Sequence, residues 1–177
     1  MKILISTTFN TNMTESKVKP FILLPEVEEI LYVSDAKGPA LPKVRYYCLP
    51  GWLLRATNND AFVRAGYKFF AGFYLAFFKR PCLLMGYGFV PHGINVDFIG
   101  RVLNIPSCIN MIGGAVGIEG GDFTSEKNLL VRQLRVWLGK LFSRIVKKYR
   151  LIVVTGASTK NYLVSKRGVD PGKVNAI

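Results

Sequence analysis

Apolar residues fall along this chain in two alternating rhythms. Short unbroken apolar runs, bounded by polar residues or by Pro and Gly, mark strands buried on both faces. Lys2–Ser6, Glu29–Ser34, Val44–Leu49, Cys82–Gly86, Ser107–Ile112 and Leu151–Thr155 are such runs. Between them lie longer amphipathic segments that predict helices. These are Thr14–Leu24, whose apolar half is bracketed by Pro20 and Pro25, then Asn58–Arg80, Ile94–Leu103, Ser125–Tyr149 and Ser158–Arg167. Asn58 or Asn59 and Ser125 suit helix N-caps, and Gly168 suits the left-handed residue that ends a helix. Strand–helix alternation with continuous apolar strands predicts an α/β fold, a parallel sheet of about six to seven strands with helices on both faces. Neither a repeat nor an internal linker interrupts residues 1–177, which read as one domain.

Composition narrows the chemistry. Half of the 177 residues are hydrophobic, enough for a core, which excludes a disordered tail. Lys and Arg number 24 against 11 Asp and Glu, a formal charge of +13 that favours anionic partners: nucleic acid, phosphate-bearing small molecules or an anionic membrane face. Cys48, Cys82 and Cys108 are odd in number and widely spaced, the pattern of buried thiols in a reducing compartment. With one histidine and no paired thiols, no zinc site is expected. Ile3–Ile5 is too short for the core of a signal peptide. The longest strongly apolar uncharged stretch, Phe69–Phe78, has ten residues where a span needs roughly 20. A cytoplasmic location follows as the expectation, peripheral on the membrane's inner face if membrane-bound at all.

In parallel α/β sheets ligands bind beyond the carboxyl ends of the strands. The loop Thr7–Thr14 has no glycine, which argues against a dinucleotide or Walker-type phosphate loop there. Gly86–Gly93 follows a strand, opens a helix and contains His92, the only histidine. Gly113–Asp122 carries five glycines and two carboxylates. Gly113, Gly114 and Gly117 would let backbone N–H groups approach an acceptor or a phosphate, with Glu119 and Asp122 placed to orient acceptor hydroxyls.

From Gly93 onward the order becomes more specific. An amphipathic helix ends Gly100-Arg101-Val102-Leu103-Asn104-Ile105-Pro106, a strand enters the glycine loop, and a long basic helix leads to Leu151–Leu163 and to Arg167-Gly168-Val169-Asp170-Pro171-Gly172-Lys173-Val174. This resembles the N-terminal, acceptor-side Rossmann-like half of GT-B glycosyltransferases, in the retaining, group 1 type that uses nucleotide sugars. Ile152–Ser158 and the helix ending at Arg167-Gly168-Val169 carry the resemblance best; the first 80 residues share only strand order. It implies the acceptor-binding half of a transferase that moves a sugar from a nucleotide donor to a glycan or lipid-linked acceptor. The donor, a co-substrate rather than a cofactor, would be held mainly by a C-terminal GT-B domain carrying a Glu-x7-Glu pair. That domain would start about where Ile177 ends the sequence, so this chain alone is expected to be inactive. Glu119 and Glu126 are one residue too close together to replace the pair. The resemblance also implies that His92 is the candidate catalytic residue, a neutral imidazole positioning the transferred sugar.

Two helices carry surplus features. Ser125–Tyr149 has an apolar stripe through Leu130, Leu134, Leu141 and Ile145 and a basic face with Arg135, Lys140 and Arg144. Asn58–Arg80 crowds eight aromatics, too many for one buried face, beside Lys68, Lys79 and Arg80. Phe73 and Phe77 with these cations, and with Arg135, Lys140 and Arg144, form the expected contact with anionic lipid. The alternative is a basic, non-catalytic module that binds nucleic acid or docks a separate partner. Nucleic acid is the less expected of the partners, because the aromatics are not interleaved with basic residues on a strand platform.

Overall fold

The computed structural model describes residues 1–8, 11–56, 61–111 and 144–176. The chain divides into two compact units, Met1–Ser107 and Cys108–Ile177. With seven parallel strands and intervening helices, the fold is Rossmann-like α/β.

The first unit is built from β1 (Lys2–Ser6), α1 (Thr11–Ile22), β2 (Glu29–Ser34), β3 (Val44–Cys48), α2 (Gly51–Ala56), α3 (Ala61–Lys79), β4 (Leu83–Tyr87), a π-helical turn (Phe89–Gly93) and α4 (Ile94–Leu103). The strands lie in the order β3-β2-β1-β4. Register pairs Leu4 with Leu31 and with Leu84, so one pleat of all three strands points the same way. Leu4, Leu31, Val33 and Leu84 there pack with Leu75 and Ala76 of α3 and Val96 and Ile99 of α4, all essentially inaccessible. The opposite pleat meets α1: Tyr32 of β2 is hydrogen-bonded to Thr14 through their hydroxyls, 3.0 Å apart. Helices therefore cover both faces, and the inner strands β1, β2 and β4 are largely apolar because neither face of them is wet, whereas edge strand β3 carries exposed Arg45. Lys43, with φ 62°, turns the chain into β3, and its ammonium donates to the Ile22 and Leu24 carbonyls at the end of α1. The Ile22 carbonyl is one that a helix end leaves without an intrahelical partner.

The second unit contains β5 (Ser107–Met111), β6 (Leu151–Val154), α5 (Ala157–Arg167), a 3₁₀ turn (Pro171–Lys173) and β7 (Val174–Ala176), with the strands in the order β5-β6-β7. Gly168 ends α5 at φ 64°; its N–H donates to Val164, and that of Val169 to Leu163. These bonds satisfy carbonyls of the last turns, and Val169 and Leu163 are both seated in the core.

Most elements match the sequence pattern to within a residue or two. Three differences are instructive. The first helix begins earlier, at Thr11, and contains Pro20, which removes one N–H from the helical ladder two residues before the helix ends at Ile22. The expected Asn58–Arg80 helix is represented by Ala61–Lys79, and a separate short helix, Gly51–Ala56, precedes it. The strand Val174–Ala176 was not anticipated; three residues are too few for periodicity to show. Of the three cysteines only Cys108 is fully buried, its thiol pushed up to about 11 by desolvation. Cys48 is half-buried, and Cys82 is exposed just before β4, contrary to the expectation of buried thiols.

Candidate functional site

In the first unit, the carboxyl ends of β1, β2 and β4 gather a polar cluster that the apolar strands themselves cannot supply. β1 ends in Ser6, buried, and β2 is followed directly by Asp35. After β4 the chain passes through Gly88 at φ 84°, a conformation essentially open only to glycine. It then makes the π turn, closed by the Gly93 N–H donating to the Gly88 carbonyl at 3.1 Å. This turn folds back against its own strand. A Cβ on Gly86 would lie 2.9 Å from the backbone of His92 and Gly93, so only glycine lets the two segments touch.

The consequence is that His92 is driven inward. It is 3% exposed, and its Nδ1 is hydrogen-bonded to Ser6 Oγ at 3.0 Å. Its Nε2 is buried and has no hydrogen-bond partner among the described residues. Buried polar atoms are nearly always paired, so this nitrogen is an unspent donor or acceptor. Desolvation, reinforced by the charge of Lys68, pushes the imidazole down to about 3, and it is neutral at physiological pH.

Lys68 reaches this region from α3. It is 2% exposed and ion-paired to Asp35 at 2.8 Å, with Arg64 on the other carboxylate oxygen at 3.8 Å. Burial pulls its ammonium below the ordinary value while Asp35 works in the other direction. Lys68 was expected among the exposed cations facing lipid; buried and paired, it cannot serve there. Its helix position explains this. Lys68, Gly72, Leu75 and Ala76 share one face, and that face is the core.

Phe73 also needs correction, since it packs partly buried against the core formed by α3, α4 and the sheet. Phe77, Lys79, Arg80 and Arg144 are exposed. Gly113, Gly114, Gly117, Glu119, Asp122, Arg135 and Lys140 lie outside the described residues. The expected loop Thr7–Thr14 is shorter than that, because Thr11–Thr14 are already helical. Sequence reading singled out His92 but missed Ser6, Asp35 and Arg64. Their signal was available: Ser6 and Asp35 are polar residues at the carboxyl ends of apolar strands, and Arg64 stands one turn before Lys68 on the same helix.

In the second unit, β6 gives way to α5 through Gly156, at φ 85°, and Thr159 is buried with its hydroxyl donating to the Thr155 carbonyl at 3.3 Å. Asn110 of β5 is buried with its side-chain oxygen unpartnered among the described residues. At the amino ends of β1, β2 and β3 lies an open hollow of about 550 Å³ lined by Lys2, Glu28, Glu29, Lys43, Arg45 and Lys79. Glu29 is already paired there, with Arg45 at 3.0 Å and Lys2 at 3.9 Å, and the hollow stands at the strand ends opposite His92. Among the described residues no group of three or more His, Cys, Asp or Glu is assembled that could hold a metal ion.

Comparison with known proteins bears on this geometry through the fold. Neither a family model nor a curated protein matches the sequence. Solved structures do. UDP-GlcNAc 2-epimerase from Methanocaldococcus jannaschii is 11% identical at a TM-score of 0.57, over 100% of this chain and 45% of its own. The Neisseria meningitidis UDP-GlcNAc 2-epimerase bound to UDP-GlcNAc is 14% identical at 0.58, over 99% and 45%. Glycyrrhiza uralensis UGT73P12 complexed with glycyrrhetinic acid 3-O-monoglucuronide is 10% identical at 0.61, over 100% and 48%. The chain thus spans somewhat under half the length of the solved structures it matches, and its fold is that of one half of GT-B sugar-nucleotide enzymes.

Proposed function

We propose that this chain is the acceptor-side half of a glycosyltransferase of the retaining, group 1 type, moving a sugar from a nucleotide donor to a glycan or lipid-linked acceptor on the cytoplasmic side of the membrane. The observation that carries the reading is the His92 imidazole, held neutral at the carboxyl end of β4 with Nε2 uncommitted. The fold supports it, because the matched structures include an epimerase bound to UDP-GlcNAc.

The chemistry asked of His92 is positioning. Ser6 occupies Nδ1 and thereby holds the ring plane, and its hydroxyl can serve either tautomer, donating to a bare Nδ1 or accepting from a protonated one. Nε2 then makes one directed hydrogen bond, to a sugar hydroxyl or to charge developing on the leaving group. A neutral ring serves this role at any pH where the fold survives. No cofactor is required. The nucleotide-sugar is a co-substrate held mainly by a C-terminal GT-B domain, and residues 1–177 alone are inactive.

The test is a radiolabelled-sugar transfer assay on the full-length enzyme with His92→Ala. Turnover falls by roughly one to three powers of ten with the fold intact, as expected for loss of one positioned polar contact. Unchanged kinetics would remove His92 from the site, and transfer by residues 1–177 alone would overturn the division of labour.

A further inference from the structure

Opposite the buried face of α3 stands a second surface that the sugar site does not use. Phe70, Tyr74, Phe77 and Phe78 recur at spacings of four, three and one along α3 and are all exposed, Phe70 at 72% and Phe78 at 63%. They are not scattered. Tyr74 and Phe78 have ring centroids 4.7 Å apart, and Phe77 meets Phe78 edge-on at 5.1 Å. The surface continues onto α4, where Phe98 and Val102 are exposed and Phe98 lies 5.7 Å from Phe69, itself in contact with Phe70. Six large apolar side chains side by side on two packed helices form the kind of patch that soluble surfaces avoid unless something covers it.

The charges around the patch indicate what covers it. Residues 61–81 contain no Asp or Glu. Lys79 and Arg80 at the end of α3 are exposed and make no ion pair among the described residues, and the Arg80 guanidinium sits over the Phe77 ring at 5.6 Å. The acid on the neighbouring helix, Asp97, is consumed by Arg101 at 2.8 and 2.9 Å. The surface is therefore aromatic with an uncompensated cationic rim. A second copy of the chain would set like charge against like. Nucleic acid would find rings packed tilted and edge-on against one another rather than splayed for bases. An anionic bilayer satisfies both features, taking the rings to headgroup depth and the cations to the lipid phosphates. No helix among the described residues is long and apolar enough to cross a membrane.

We infer that the outer face of α3 and α4, formed by Phe70, Tyr74, Phe77, Phe78, Phe98 and Val102 with Lys79 and Arg80, docks the protein on an anionic lipid bilayer. This differs from what the sequence pattern suggested. Lys68 and Phe73 drop out because they serve the interior, and α4, which showed no such feature alone, completes the patch. The inference is independent of the sugar-transfer reading.

The test is co-sedimentation of residues 1–177 with phosphatidylcholine vesicles, with and without about one-quarter phosphatidylglycerol, at low and high salt. The protein sediments with the anionic vesicles, much less with neutral ones, and less as salt rises. Lys79→Gln with Arg80→Gln weakens binding by roughly 25-fold, about fivefold for each cation. Phe70→Ser with Phe78→Ser weakens it by roughly tenfold or more and leaves the salt dependence in place. Because both rings are largely exposed, circular dichroism of that variant stays native; should it not, Tyr74→Ser carries the same test. Binding that ignores the aromatic substitutions overturns the inference. So does concentration-dependent dimerisation abolished by them, which would assign the face to a second copy, or retention on nucleic acid without retention on vesicles.

Discussion

The molecule uses one backbone device twice, with opposite results. β4 leaves its sheet through Gly88 at φ 84°, ψ 156°, and β6 through Gly156 at φ 85°, ψ 154°. After Gly156 the chain enters α5 at once and the first residues of the helix are exposed. After Gly88 it inserts a five-residue π turn that folds back on the strand and buries His92. Two positions before each glycine lies the reason. Gly86 leaves room for the returning backbone, whereas Val154, fully buried, fills the corresponding place with side chain. A strand-to-helix turn becomes a cradle for an imidazole through the removal of one side chain and the insertion of one turn.

The comparison is broken most severely at Gly86. Gly86→Val drives Cβ into the His92–Gly93 backbone, which cannot yield without unmaking the turn, and costs about 3 kcal/mol, near the upper end for overpacking. Thermal or urea unfolding measures it, and a loss under 1 kcal/mol would show that the return of the chain is not tightly packed.

Acid should separate the turns next. The unfolded chain protonates its histidine below the ordinary 6.5, but folded His92 stays neutral until about 3. Its contribution to stability is therefore complete above pH 6.5 and is lost as the pH falls. Between pH 6.5 and about 4.5 the loss attributable to this residue is about 2–3 kcal/mol. Urea unfolding at both pH values, set against His92→Asn, isolates it, and as the only histidine its ring ¹⁵N signals should not titrate over that range in the folded protein.

The smallest effect sharpens the similarity rather than the difference. Among the described residues nothing lies within 4 Å of a Cβ placed on Gly88 or on Gly156, so alanine at either site meets backbone strain. Each substitution costs about 2 kcal/mol, and the two costs agree. Markedly unequal values would mean that the two turns do not share a conformational origin.

What the sequence determined by itself was the alternation of buried strands and amphipathic helices, because that depends on residue type and period alone. Lys2–Ser6, Glu29–Ser34 and Ile94–Leu103 begin and end where their patterns do. The same local logic made Gly168 legible as a helix end, and marked His92 as a histidine at the mouth of a helix. Tertiary structure decided the rest. The strand order β3-β2-β1-β4, the three-residue β7 and the short α2 carry too little periodicity to be read locally. Whether a cation faces water or the interior was decided by a carboxylate 33 residues away in sequence: Asp35 makes burial of Lys68 tolerable, and charge count alone cannot reveal that pairing. The fate of His92 was settled the same way, by Ser6 on a strand 86 residues earlier and by the absence of a Cβ on Gly86. Period and composition act along the chain; desolvation and pairing act through space, and they arise only once the strands are laid side by side.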